Sequence, residues 1–138
     1  MSIEERVQKT ETYIKQSLLY LNNANEEIKK KNYEKASGFL WGSVAEALKA
    51  LLMARKGFRI RSRSEFWDVA RELSKEYGDK DIYIVFHEAN SLHSNFYEVS
   101  LKEEDVMINF EHIRMLVGKL LNITRSELIK LVKEPYKS

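Results

Sequence analysis

Between Ser2 and Gly57 the chain holds two long helical patterns separated by only two residues, and few folds accept that arrangement. Ser2 and Glu5 form an S-x-x-E capping box, which predicts a helix from Ile3. Val7, Ile14, Leu18, Leu21, Ala24 and Ile28 follow at helical spacing. Nothing breaks the pattern before Lys31-Asn32, so the helix should run for about 28 residues, or roughly 42 Å. Lys29, Lys30 and Lys31 suit its last turn, where cations meet the negative end of the macrodipole. Asn32 is placed to cap a second helix over 33–56, and Gly57 to end it as a C′ residue. So tight a turn makes the two helices pack antiparallel.

The second helix has a broad apolar face of Ala36, Phe39, Leu40, Ser43, Val44, Ala47, Leu48 and Leu51. Gly38 and Gly42 interrupt it, although glycine inside a helix costs about 1 kcal/mol relative to alanine. Four residues apart, they share a side and would let another helix come close, from this chain or across a dimer seam.

Beyond residue 63 the helical rhythm continues. Ser62 or Ser64 caps a helix over 65–76 with Phe66, Val69, Ala70 and Leu73 inward, and Tyr77-Gly78-Asp79 stops it. A further helix is expected over 81–98. Ser100 with Glu103 opens another that presents Val106, Phe110, Ile113, Val117 and Leu120 and reaches Asn122. Thr124 or Ser126 is expected to cap a last short helix over 127–133, closed by Pro135. The stretch NEEIKKKNYEKASGFLW has the look of one tetratricopeptide unit, but no second copy follows, so a solenoid is rejected. The expected fold class is all-α: an antiparallel bundle of five main helices plus a short C-terminal one, a single domain over 1–138.

Composition narrows the function. With 43% hydrophobic and 32% charged residues the chain is a soluble globular type rather than a disordered one. It has no cysteine, which excludes disulfides, thiolate nucleophiles and cysteine zinc sites. No apolar run approaches the ~20 residues of a bilayer span, and MSIEER has no signal-peptide character. A cytoplasmic location without membrane contact is expected. A net charge of +2 is too small to imply nucleic acid by itself.

Local charge says more. Arg55, Lys56, Arg59, Arg61 and Arg63 fall within nine residues, interleaved with Phe58 and Ile60, and include half of the chain's eight arginines. Arginine is the preferred fork for phosphate, and an adjacent ring can stack on a base. The plain alternative pairs these arginines with glutamates of neighbouring helices.

The second candidate is the helix over 81–98. Ile82, Phe86, Ala89, Leu92 and Phe96 form its apolar stripe. Beside them runs a polar one of His87, Asn90, His93 or Ser94, and Tyr97, each within roughly 60° of the next. Lysines and glutamates would be ordinary there; neutral hydrogen-bonding groups and histidines are not. HEANSLH does not make a metal site, because the zinc-protease pattern needs its second histidine at Ser91, and His87 and His93 point about 120° apart. A serine–histidine pair of Ser91 or Ser94 lacks an orienting acid and a glycine elbow. No metal or cofactor is expected. His93, at the edge of the apolar stripe, reads either as a half-buried residue satisfied by Asn90 and Tyr97 or as a general base. His112 reads as an ordinary surface residue.

Helix order and the string AxxLHxNFYE over Ala89–Glu98 resemble the HEPN superfamily, and specifically its archaeal PaREP-like branch. The likeness runs from about residue 5 to residue 122. It implies an all-α, HEPN-like bundle, a homodimer, and either metal-independent ribonuclease activity or partnership with a small nucleotidyltransferase. The family histidine falls on His93. The family arginine would stand at Phe86, His87 or Glu88; none is arginine, and His87 alone is basic. A ribonuclease that uses the 2′-hydroxyl needs a base and a fixed positive charge.

The expectation is therefore a HEPN-like module that binds RNA or a nucleotide-handling partner, with no catalysis or weak catalysis. His93 is the candidate base, with Arg59, Arg61, Arg63, His87, Asn90 and Tyr97 in the binding role. The alternatives are a metal-independent endoribonuclease of toxin–antitoxin type and a structural homodimeric interaction protein.

Overall fold

A computed structural model describes residues 1–94 and 103–133 as five helices: α1 (Ile3–Lys29), α2 (Tyr33–Lys56), α3 (Arg63–Glu76), α4 (Lys80–Ser94) and α5 (Glu103–Lys133). The described residues include no strand.

The α1–α2 hairpin forms as its turn demands. Ser2 Oγ accepts the Glu5 N–H at 3.1 Å. At the far end Lys31 adopts φ 60°, and the N–H groups of Lys31 and Asn32 donate to the carbonyls of Ile28 and Glu27, both at 2.9 Å. Asn32 stands at the N-cap but its side chain makes no capping bond, contrary to expectation. Backbone closure through Lys31 sets the turn instead. Gly57 ends α2 at φ 69°, its N–H on the Met53 carbonyl at 3.0 Å. Between the two helices, Ser17 Oγ donates to the Ser43 carbonyl at 2.7 Å and Ser43 Oγ to the Ser17 carbonyl at 2.9 Å. Both serines are buried, and the reciprocal bonds remove the cost of unpaired hydroxyls.

Helix α2 is the centre of the bundle, touching all four others. Leu40, Val44, Ala47, Leu48, Leu51 and Met53 are fully enclosed, and the core continues through Phe86, Ile113 and Leu120. An aromatic nest ties α3 and α4 to α2. Trp41 lies 5.2 Å from Phe86 and 5.9 Å from Phe66, centroid to centroid, and Trp67 stands edge-on to Phe86 at 4.7 Å.

Two boundaries differ from expectation. Helix α3 begins at Arg63 rather than residue 65, because Ser62 is the cap: its Oγ accepts the Glu65 N–H at 3.3 Å. The separate C-terminal helix does not exist, and α5 runs unbroken to Lys133. Thr124 does not stop it. Its hydroxyl bonds the Leu120 carbonyl one turn back at 2.7 Å, and the buried series Leu120, Leu121, Thr124 and Leu131 keeps the helix against the core. Residues 95–98, including Tyr97, lie outside the described residues.

Candidate functional site

The five clustered basic residues divide sharply. Arg55 and Lys56 close α2 and are tied down. Arg55 Nε lies 2.8 Å from Glu76 Oε2, its Nη1 3.3 Å from Glu127 Oε1 and 2.8 Å from the Tyr77 hydroxyl, and Lys56 Nζ 2.8 Å from Glu76 Oε1. The Lys56 hydrogen bond, with the nearby Arg55 charge, holds the Glu76 carboxyl below its ordinary pKa although burial opposes this. Burial and then Glu127, which accepts the Tyr77 hydroxyl at 3.1 Å, push the phenol up to about 12 against the opposing pull of Arg55.

Arg59, Arg61 and Arg63 are different: all three are exposed, and none reaches a carboxylate among the described residues. The local fold explains their direction. Ile60 is buried and pins the loop, while Arg59 and Arg61 on either side of it are exposed. The Arg61 N–H donates to Glu65 Oε2 at 2.7 Å, clamping the loop onto the start of α3. Phe58 is 65% exposed beside them. Phe58, Arg59, Arg61 and Lys56 border a groove of about 390 Å³ between α2 and α3, opposite the carboxylates of Glu65, Asp68 and Glu72.

The polar stripe of α4 lies on the other flank of α3. His87 is exposed, its ring 5.5 Å from Trp67 and its Nδ1 3.4 Å from Ser91 Oγ. Arg71 lies 5.4 Å over Tyr83, and Trp67 contacts Tyr83, Phe86 and His87, so α3 and α4 run antiparallel. Asn90 is half-buried, whereas His93 is exposed. The expectation of a half-buried His93 is corrected: the imidazole is exposed and lies over Gly38 of α2, near the end of the described helix. A Cβ at residue 38 would stand 3.6 Å from its Cε1. His87 and His93 thus face different helices.

Among the described residues, Arg59 and Arg61 lie on one flank of α3 and His87 on the other, while Arg63 opens the helix.

Sequence reasoning missed two contributors. Arg6 of α1 donates from Nε to the Met53 carbonyl at 2.8 Å, which also accepts the Gly57 N–H, and from Nη2 to the Ala54 carbonyl at 3.0 Å, so it binds the last turn of α2. Its partners are 47 and 48 residues away, so no local pattern marks it. Trp67 is the ring beside His87; it stands outside the inward set expected of α3, and its neighbour lies 20 residues along the chain.

The fold and these surfaces define a small all-α bundle with a free arginine loop and a histidine-bearing helix. The chain belongs to the archaeal PaREP1/PaREP8 family, whose model matches residues 12–117, a stretch that contains both flanks of the site. No curated protein matches the chain. Among the described residues, no helix is long and apolar enough to cross a membrane.

Proposed function

We propose that this chain is a HEPN-like module that binds single-stranded RNA along the arginines wrapped around the start of α3, with little or no catalysis. The observation that carries the reading is the contrast inside one basic cluster. Arg55 and Lys56 are neutralised by Glu76 and Glu127, whereas Arg59, Arg61 and Arg63 keep exposed guanidinium groups beside an exposed Phe58. Arginines that track a backbone next to a ring that stacks a base are the two parts of a sequence-tolerant single-strand site. The carboxylates of Glu65, Asp68 and Glu72, which also line the groove, repel phosphates, so the strand is expected along the arginines rather than deep in the groove. Catalysis is expected to be weak because no arginine shares α4 with His93.

Binding of a short single-stranded RNA, titrated across salt concentrations, tests this. Each phosphate contact contributes a slope of roughly 0.7 log units per tenfold change in salt. Replacing Arg59, Arg61 and Arg63 together by alanine should flatten the slope by about two units. Wild-type protein that shows no salt-dependent RNA binding overturns the proposal.

A further inference from the structure

Arg59 borders two grooves. On one side is the groove of about 390 Å³ that it shares with Phe58 and Arg61. On the other it closes a second groove, of about 380 Å³, whose remaining walls are Glu5, Gln8, Lys9, Thr12 and Tyr13 of α1. The end of α2 is what brings α1 to the loop. Arg6 holds the Met53 and Ala54 carbonyls, and its Nε stands 3.3 Å from where a Cβ on Gly57 would lie. The chain therefore leaves α2 against the first turns of α1, and Arg59, two residues after Gly57, reaches both α1 and α3.

The second groove repeats the chemistry of the first. Lys9 is exposed and reaches no carboxylate among the described residues. Tyr13 supplies a half-buried aromatic wall, with Lys49 Nζ 5.8 Å from its ring centroid. Arg6 is committed to the α2 carbonyls and Lys49 to Glu46 at 3.0 Å, so among the described residues Lys9 and Arg59 are the free cations here. Charge also gives the grooves a direction. The α3 side of Arg59 carries three carboxylates, Glu65, Asp68 and Glu72, whereas the α1 side is lined by Glu5 alone, with Glu4 and Glu11 exposed outside it. A phosphate leaving Arg59 is therefore repelled less toward α1 than further along α3.

We propose that a single RNA strand crosses Arg59 with one base on each side of it. One base lies on Phe58 at the mouth of the first groove and the next enters the α1 groove against Tyr13. The phosphate between them sits on the Arg59 guanidinium, and the next phosphate sits on Lys9. The inference rests on the arginine-loop reading above and extends that site onto α1. Arginine presents a planar fork of donors to a phosphate, and a ring on either side gives each base a stacking face. Gln8, an exposed amide that both donates and accepts, suits any base edge. Two bases held apart by a side chain cannot stack on one another, so the strand must be unpaired and unstacked at this step. Single-stranded RNA splays its bases in this way, and a paired duplex does not.

Fluorescence titration of a short labelled oligouridylate across salt concentrations tests the proposal, with thermal melts as a folding control. Lys9→Ala should flatten the salt slope by roughly 0.7 log units per tenfold change in salt, the share of one phosphate. Lys15 is exposed on another side of α1, and Lys15→Ala should leave the slope unchanged. Tyr13→Leu should weaken binding by about fivefold or more without changing the slope, because stacking carries no charge. A blunt RNA duplex should show no dependence on Lys9. A Lys9→Ala or a folded Tyr13→Leu protein that binds as the wild type does overturns the α1 subsite. The arginine-loop reading still stands in that case if its triple alanine variant loses about two units of slope. Equal losses from Lys9→Ala and Lys15→Ala, or an equal dependence on Lys9 for the duplex, also overturn the subsite. A wild type that binds no RNA removes both readings.

Discussion

The imidazole of His93 lies over Gly38, and a Cβ placed on that glycine would stand 3.6 Å from Cε1 and 3.8 Å from Nδ1. That is ordinary van der Waals contact. The Tyr20 ring over Gly42 is closer, with Cδ2 at only 2.8 Å from the corresponding Cβ position. The two glycines look alike in sequence but have opposite tolerances. Gly38→Ala should raise stability by about 0.5–1 kcal/mol through helix propensity. Gly42→Ala should lower it by about 1–3 kcal/mol, because Tyr20 must move off a ring contact with Phe39. Thermal denaturation of the two variants checks both signs.

His93 separates the binding reading from the enzymatic one. Being exposed, it should contribute little to stability, and His93→Ala should unfold within about 0.5 kcal/mol of the wild type. The wild type is expected to leave single-stranded RNA intact on the timescale of binding. Robust metal-independent cleavage, abolished in a His93→Ala protein that melts normally, would instead make the chain an endoribonuclease.

Arg6 holds the end of α2 from the start of α1. Arg6→Met retains the apolar stem and loses both donors to the Met53 and Ala54 carbonyls. The expected loss is about 1.5–3 kcal/mol, the range for hydrogen bonds from charged groups. Urea denaturation at constant m-value measures it.

The cluster of Arg55, Glu76, Tyr77 and Glu127 predicts both limbs of the pH profile. Glu76 is depressed below its ordinary 4.5, so its stabilising contribution is present above that value and lost as pH falls through the lower folded-state value. Tyr77 is raised from 10.0 to about 12, so its contribution is complete below pH 10 and lost as pH climbs through that interval. Glu76→Gln should flatten the acid limb only, and Tyr77→Phe the alkaline limb only. Melting temperatures recorded from pH 3 to 12 would show whether each variant changes its own limb.

Local chemistry alone determined much of this protein. The Ser2 cap, the two-residue turn at Lys31-Asn32, the Gly57 stop and the 3.6-residue apolar period specified an all-α bundle built on an α1–α2 hairpin, because caps, turns and amphipathic faces act within a few residues. Where local signals competed with burial, burial won. Thr124 and Ser126 suggested a cap, but the apolar stripe pressed against α2 carries α5 past them. The arginine loop was legible as a run of basic residues. Which of them are free was not, since the carboxylates that claim Arg55 lie at Glu76 and Glu127, on two other helices. His87 and His93 look like neighbours on one strip of sequence. Only the packing of α4 between α3 and α2 sends one ring to Trp67 and the other to Gly38, because a helix turns about 100° per residue and its partners are set by the rest of the chain.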